Sequence, residues 1–224
     1  MKSITTQIVE EANGLLTLTP EGTFSSFNSG GVEAEVGEFL YGLVRNLKPI
    51  AILETGTHWG ISSAYMGLAL KENGFGKLET LEISKENMDK AAQLWDQLDL
   101  MWINKEEEKF RLRCTLANSL DANPYEQYEF IFLDSEPEIR FKELVKFFPN
   151  LKAGGFMAIH DLPEDMVQGN INPDHPDFPS WPYGNLPEEM KMLLDTKQLI
   201  RFNLPTPRDI AFFYKPTERF NKIK

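Results

Sequence analysis

Between residues 32 and 161, short apolar runs without polar alternation trade places with stretches whose apolar residues recur at three- and four-residue steps. The runs suit strands covered on both faces and the stretches suit helices with one buried face, so the chain is constrained to a mostly parallel sheet with crossover helices. Val36, Phe39, Leu40, Leu43, Val44 and Leu47 mark a helix over 32–47 that stops at Lys48-Pro49. The strand Ile50-Ala51-Ile52-Leu53 follows, then a helix over 61–72 closed by Asn73-Gly74. A second strand covers 77–83, and Ser84 is placed to cap a helix carrying Met88, Ala91, Ala92, Trp95 and Leu98. Further strands are expected over 110–116, 130–133 and 156–159, with a helix over 139–148 and a turn at Ala153-Gly154-Gly155. A last helix over 188–195 precedes two strands, 199–204 and 210–214, paired across Pro205-Thr206-Pro207. No internal repeat or linker breaks this layout, which reads as a single domain over 1–224 with its core at 32–161.

Composition narrows the partners. The net charge of −11 and pI near 4.8 give a mean field that repels phosphate backbones, so a nucleic-acid partner is not expected. Cys114 is the single cysteine, which leaves no intramolecular disulfide and no CxxC pair and suits a reducing interior. Inside an apolar strand it reads as an inert core thiol. Glu10 and Glu11 follow the first residues where a signal peptide would be apolar, and no apolar run approaches the roughly 18 residues of a membrane span. A cytoplasmic protein without membrane partners is expected, and a homodimer is an allowed assembly.

In an open parallel sheet, ligands bind beyond the carboxyl ends of the strands. Those ends deliver Glu54-Thr55-Gly56-Thr57-His58-Trp59-Gly60, then Glu82, Asn118, Asp134, and finally His160-Asp161. One acidic residue after a strand is ordinary, but five successive polar strand ends are not. Gly56 and Gly60 allow a sharp strand-to-helix turn and close approach of a ligand to the backbone. The turn is not GxGxxG, because His58 fills the place of the middle glycine and would crowd a pyrophosphate. Glu82 ends the next strand, where a carboxylate can accept both hydrogen bonds of a ribose diol. The pair reads as a nucleoside site. Neither a GxSxG elbow nor a phosphate-binding loop is present.

The segment Glu54-Thr55-Gly56-Thr57-His58-Trp59-Gly60-Ile61-Ser62 resembles motif I of the class I S-adenosylmethionine-dependent methyltransferases, in the variant of the metal-dependent O-methyltransferases acting on catechols and caffeoyl-CoA. Gly76-Lys77-Leu78 through Glu82 is similar to that family's acidic second-strand motif. The run from Phe130 to Asp134, followed by Leu151-Lys152-Ala153-Gly154-Gly155 and the strand to Asp161, resembles its fourth and fifth strands. The resemblance covers 33–161. It implies a Rossmann-like three-layer α/β sandwich with a seven-stranded, mostly parallel sheet whose last strand is antiparallel. S-adenosylmethionine is the implied cofactor, and O-methylation of a small-molecule hydroxyl the implied reaction. Carried over, Glu54, Gly56 and Gly60 would surround the methionine part, with Thr57, His58 and Ser62 lining the same turn. Glu82 would hold the ribose, Asn118 the adenine amino group, and Ile83 and Ser84 would border the adenine, with Asp134 closing the cofactor side. The family has Gly-Asp where this chain has Ala117-Asn118, and an amide oxygen still accepts that bond.

The family's divalent cation is bound by an Asp after the fourth strand and an Asp-Asn pair after the fifth. This chain supplies Asp134 but has His160-Asp161 in place of Asp-Asn. Three readings stay open here: a site for Mg or Mn, or a softer ion, on Asp134, His160 and Asp161; a metal-free catalytic trio with His160 as general base; or a structural role in which His160 caps its strand. Beyond Asp161, six prolines fall within 163–187 with His175, Trp181 and Tyr183 among them. Such a stretch, over 162–198, suits a lid or substrate segment. Two other functions share the pattern: a non-catalytic nucleoside-binding or assembly protein on the same fold, and an NAD-dependent enzyme, the latter disfavoured by His58.

Overall fold

A computed structural model of the chain describes residues 2–100, 110–124, 126–162, 186–204, 206 and 208–217. The charge run 104–109 and the stretch 163–185, with His175, Trp181 and Tyr183, lie outside the described residues. Nine strands are described: β1 (Leu18–Glu21), β2 (Phe24–Phe27), β3 (Ala51–Thr55), β4 (Gly76–Glu82), β5 (Phe110–Leu116), β6 (Tyr128–Leu133), β7 (Leu151–His160), β8 (Ile200–Leu204) and β9 (Ile210–Tyr214). The helices are α1 (Ile4–Glu11), α2 (Ala34–Leu47), α3 (Ile61–Asn73), α4 (Lys85–Gln97), α5 (Pro137–Phe147) and α6 (Glu188–Asp195). Seven strands form one sheet in the order β5-β4-β3-β6-β7-β9-β8, the doubly wound order of an α/β fold. Only β9 runs against the other strands, antiparallel to both β7 and β8. Packing groups the chain into two compact units, Met1–Asn118 and Ser119–Lys224.

In the first unit, β3 is buried along its whole length, as its unalternated sequence requires, and pairs in parallel with β4, which pairs in parallel with β5. Helix α2 buries Val36, Leu40 and Val44 on one face and ends at Lys48 in the left-handed region. Helix α3 is buried from Ile61 to Leu70 and ends at Gly74, whose N–H reaches the carbonyls of Leu70 and Lys71. Ser84 caps α4 by accepting from the Asn87 N–H at 3.3 Å. The sequence pattern does not announce α1 or the β1–β2 hairpin. Helix α1 is two turns long and is tied down through Thr5, whose N–H and hydroxyl both donate to Glu38 at 2.8 and 2.7 Å and whose hydroxyl also meets Tyr65 Oη at 2.7 Å.

In the second unit, β6 and β7 run parallel, and α5 passes through a short 3-10 turn, Phe148–Asn150, directly into β7. The expected turn at Ala153-Gly154-Gly155 is instead interior to β7. Tyr128 pairs with Leu151 and Phe130 with Phe156, so four residues of β7 bulge against one of β6. Gly154 has φ +86°, and a Cβ on Gly155 would stand 2.8 Å from the Glu129 carbonyl oxygen. The glycines serve a bulge and a close strand approach rather than a reversal. The unit's core is aromatic: Tyr128, Phe130, Phe132, Phe147, Phe212 and Phe213 are buried, each contributing about 1.5–3 kcal/mol by leaving water.

The α2–α3 contact is the tightest test of this packing. A Cβ at Gly37 would lie 2.1 Å from the buried Tyr65 ring. Gly37→Ala should therefore lower stability by about 1–3 kcal/mol, although alanine alone would favour the helix by about 1 kcal/mol. The midpoint of urea unfolding measures this, and an unchanged or raised midpoint would show that the helices are not in that contact.

Candidate functional site

The loop after β3 is organised by a buried carboxylate. Glu54 is wholly buried at the penultimate position of β3. Its Oε1 accepts from Ser62 Oγ at 2.5 Å and its Oε2 accepts from Ser63 Oγ, so the first turn of α3 is tied to the strand it follows. A buried charge needs such partners. Between these anchors Gly56, His58 and Gly60 all take left-handed φ values of +80°, +49° and +76°. The Gly56 N–H donates to the Leu81 carbonyl at 3.0 Å, and Thr57 turns inward, its hydroxyl 2.6 Å from Thr80 Oγ1 and 3.6 Å from Cys114 Sγ. Gly60 is demanded by packing as well as by φ. Its carbonyl accepts from Trp95 Nε1 at 3.0 Å, and a Cβ there would lie 2.6 Å from that nitrogen and 2.8 Å from Ala91 Cβ.

Glu82 closes the same loop from the end of β4. Its Oε2 accepts from the His58 N–H at 2.7 Å and its Oε1 from the Ser84 N–H at 2.8 Å. Each carboxylate oxygen has a second lone pair to offer. Beside Glu82 stands exposed apolar surface. Ile83 is 70% exposed, so it is no core residue, and Leu116, the register partner of Glu82 on β5, is 49% exposed. Asn118, two residues beyond Leu116, is exposed too. Leu116 escapes a sequence reading because it ends an apolar strand like any core residue. Trp59 is half-buried and carries Lys90 Nζ 4.4 Å from its ring centre, a cation–π contact. Glu54, Gly56, Thr57, His58, Gly60, Ser62, Glu82, Ile83 and Asn118 thus all belong to one unit. A carboxylate with spare lone pairs thus stands beside exposed apolar side chains and a glycine turn. Burial pushes the Cys114 thiol up to about 11, with the nearby Glu54 and Glu82 charges adding to burial and the Thr57 hydroxyl opposing it, so it is unreactive at neutral pH.

The second constellation lies in the second unit at the ends of β6 and β7. Asp134, His160 and Asp161 come together, with one candidate ligand atom of each within 4.8 Å of the others. His160 is wholly buried, and its Nδ1 lies 3.1 Å from Asp134 Oδ1 and 3.5 Å from Asp161 Oδ1. Carboxylates only accept, so Nδ1 carries the proton. Asp161 has φ +55°, a strained value for a non-glycine residue. Burial on its own would raise Asp134, but the charge and hydrogen bond of His160, with the guanidinium groups of Arg140 and Arg208, hold its carboxyl below the usual carboxylate range.

Arg140 is the member of this group that motif reading misses. Its side chain is 5% exposed, with Nη2 donating to Asp134 Oδ1 at 3.1 Å and Nη1 to Asp161 Oδ2 at 3.3 Å. Nη1 also donates to the His160 carbonyl, and Nε to the Ser135 carbonyl at 2.7 Å. The available signal was a charged residue on the buried face of α5, in line with Leu144 and Phe147, where an arginine requires partners. The family likeness implies a divalent cation here, and the donor types and spacing suit one. The charge does not. Asp134 Oδ1 already receives both His160 and Arg140, and the buried guanidinium of Arg140 bridges Asp134 and Asp161 with its own positive charge. These residues do not fit the cation.

Gly60→Ala tests the loop geometry. The strained φ and the collision with Trp95 should together cost about 2 kcal/mol or more, read from thermal or denaturant unfolding. A variant as stable as the parent would mean that Trp95 is not packed under the loop.

Residues 53–162 match the family model described as a methyltransferase domain. A protein of Mycobacterium sp. (strain KMS) that carries a provisional O-methyltransferase name is 25% identical over 132 residues, 59% of this chain and 57% of its own length. The chain thus spans little more than half of the curated relatives it matches. Among solved structures, the S-adenosylhomocysteine-bound methyltransferase of Podospora anserina aligns with TM-score 0.67 and 16% identity over 94% of this chain and 88% of that one. The O-methyltransferase of Bacillus cereus, solved with S-adenosylhomocysteine, aligns with TM-score 0.63 and 20% identity over 96% and 92%. At such identities the structural likeness speaks for the fold. The segment from β3 to the residue after Asp161 is thus similar to a methyltransferase domain, and it lies on the doubly wound α/β fold.

Proposed function

We propose that the protein is an S-adenosylmethionine-dependent methyltransferase acting on a hydroxyl of a small molecule. The observation that carries the reading is Glu82, a carboxylate fixed by two backbone N–H groups beside the glycine turn and flanked by the exposed Ile83 and Leu116. When bound, the cofactor would supply a sulfonium-activated methyl group to an acceptor oxygen in line, with S-adenosylhomocysteine as the leaving group. The chain's own work is then positioning. Glu82 accepts the ribose hydroxyls, Ile83 and Leu116 cover the adenine faces, and Asn118 accepts from its amino group. The left-handed turn through Gly56 and Gly60 brings backbone rather than side chains against the methionine part.

For the acceptor, Asp134 and Asp161 are the members of the second group that solvent reaches, at 13% and 19% side-chain exposure. They accept the hydrogen bond of the acceptor hydroxyl, and the proton released on transfer leaves through the Asp161 carboxylate to water. His160 is a positioning residue behind the carboxylates. The acidic surface favours neutral or cationic acceptors over nucleic acid. A cytoplasmic location and a homodimer are compatible with this reading. Among the described residues no helix is long and apolar enough to cross a membrane.

Transfer of labelled methyl from S-adenosylmethionine to a panel of phenols, catechols and aliphatic alcohols tests the proposal. Glu82→Ala should lower kcat/KM at least about tenfold, since hydrogen bonds to a charged group contribute about 1.5–3 kcal/mol each. Asp161→Ala should cut kcat with little change in cofactor affinity. Undiminished transfer by the double variant would exclude these roles.

A further inference from the structure

The second constellation holds its own counter-charge. Resting on the reading that this trio meets the acceptor, we infer that Arg140 takes the place of the divalent cation and that the chain binds no metal at Asp134, His160 and Asp161.

Arg140 does geometrically what a bridging cation would do. Its two terminal nitrogens reach one carboxylate each, at 3.1 Å to Asp134 and 3.3 Å to Asp161, so a planar fork fixes their separation. Two further donors go to backbone, to the carbonyl of Ser135 after β6 and to that of His160 at the end of β7. One side chain therefore joins two strand ends and both acids, and its burial leaves the guanidinium no alternative partners in water. Arg208 Nε adds a second positive group 3.2 Å from Asp161 Oδ1. Two carboxylates thus face two guanidinium groups, Arg140 bridging both and Arg208 meeting Asp161. His160 Nδ1 completes the cluster, 3.1 Å from Asp134 Oδ1 and 3.5 Å from Asp161 Oδ1.

A metal would also be redundant for the chemistry proposed. Holding the two carboxylates in register is accomplished by the arginine. What a guanidinium cannot do is bind the acceptor oxygen as a Lewis acid. The chain should accordingly favour acceptors whose hydroxyl is reached by hydrogen bonding to a carboxylate, and should not require adjacent hydroxyls to chelate an ion.

The test is titration of the metal-stripped full chain with Mn2+, following the free-ion paramagnetic resonance signal, for the parent, Arg140→Met and Asp134→Asn. The parent should leave the Mn2+ signal undiminished. Arg140→Met removes the positive charge while keeping length, and should gain at least about tenfold in Mn2+ affinity. One equivalent of Mn2+ bound by the parent and lost in Asp134→Asn would overturn the inference. A folded Arg140→Met protein that remains unable to bind Mn2+ would overturn it too, because the exclusion would not be arginine's. Should Arg140→Met fail to fold, the parent and Asp134→Asn titrations still decide. S-adenosylhomocysteine affinity, measured on the same samples, is independent of these outcomes, so loss of the methyltransferase reading and loss of this inference are told apart.

Discussion

Everything proposed for the cofactor end depends on one buried carboxylate. Glu54 brings a charge into the end of a fully buried strand, and the first turn of α3 answers it with two serine hydroxyls. That exchange sets where the helix begins, and the seven residues between must then reverse within a few ångströms. They manage it by taking left-handed φ at Gly56, His58 and Gly60. The open backbone that results is what makes the loop suited to a ligand. Glu82 then fastens the loop to the next strand through the His58 N–H. An ion-binding or catalytic role for Glu54 is unnecessary, because its oxygens are engaged in holding the scaffold.

The second unit follows the same logic with the signs exchanged. There a buried arginine, rather than a buried acid, gathers the ends of two strands. The His-Asp pair that departs from the family's Asp-Asn is intelligible in this light. A histidine with its Nδ1 proton turned to Asp134 adds a donor to a cluster that Arg140 and Arg208 already face. Glu143, buried on the same helix, accepts from Ser135 Oγ at 2.6 Å and stiffens the segment that presents Arg140.

The legible parts of the chain were those governed by local periodicity. The strand Phe110–Leu116 and the helix Glu188–Asp195 have the bounds the sequence suggests, and Ser84 caps its helix as read. Helix α1 and the hairpin were not legible, since an eight-residue helix held by Thr5, Glu38 and Tyr65 owes its stability to contacts 33 and 60 residues away. Ala153-Gly154-Gly155 misled because glycine pairs signal turns locally, whereas here they let β7 bulge and pass close to Glu129. Of the candidate site, strand-end residues could be named from motif spacing. Arg140 could not, because nothing nearby in sequence states which carboxylates a helix residue will reach. Leu116 could not either, because exposure is a property of the folded sheet.

The central claim is that the loop between Glu54 and Ser62, with Glu82, forms a site for a nucleoside-type methyl donor. Calorimetric titration of the purified chain with S-adenosylhomocysteine addresses it without any assumption about the acceptor. The account predicts saturable binding with a micromolar Kd, about −8 kcal/mol, unaffected by a chelator. A folded protein that releases no heat and binds no S-adenosylhomocysteine would contradict it, leaving the doubly wound sheet without its proposed ligand.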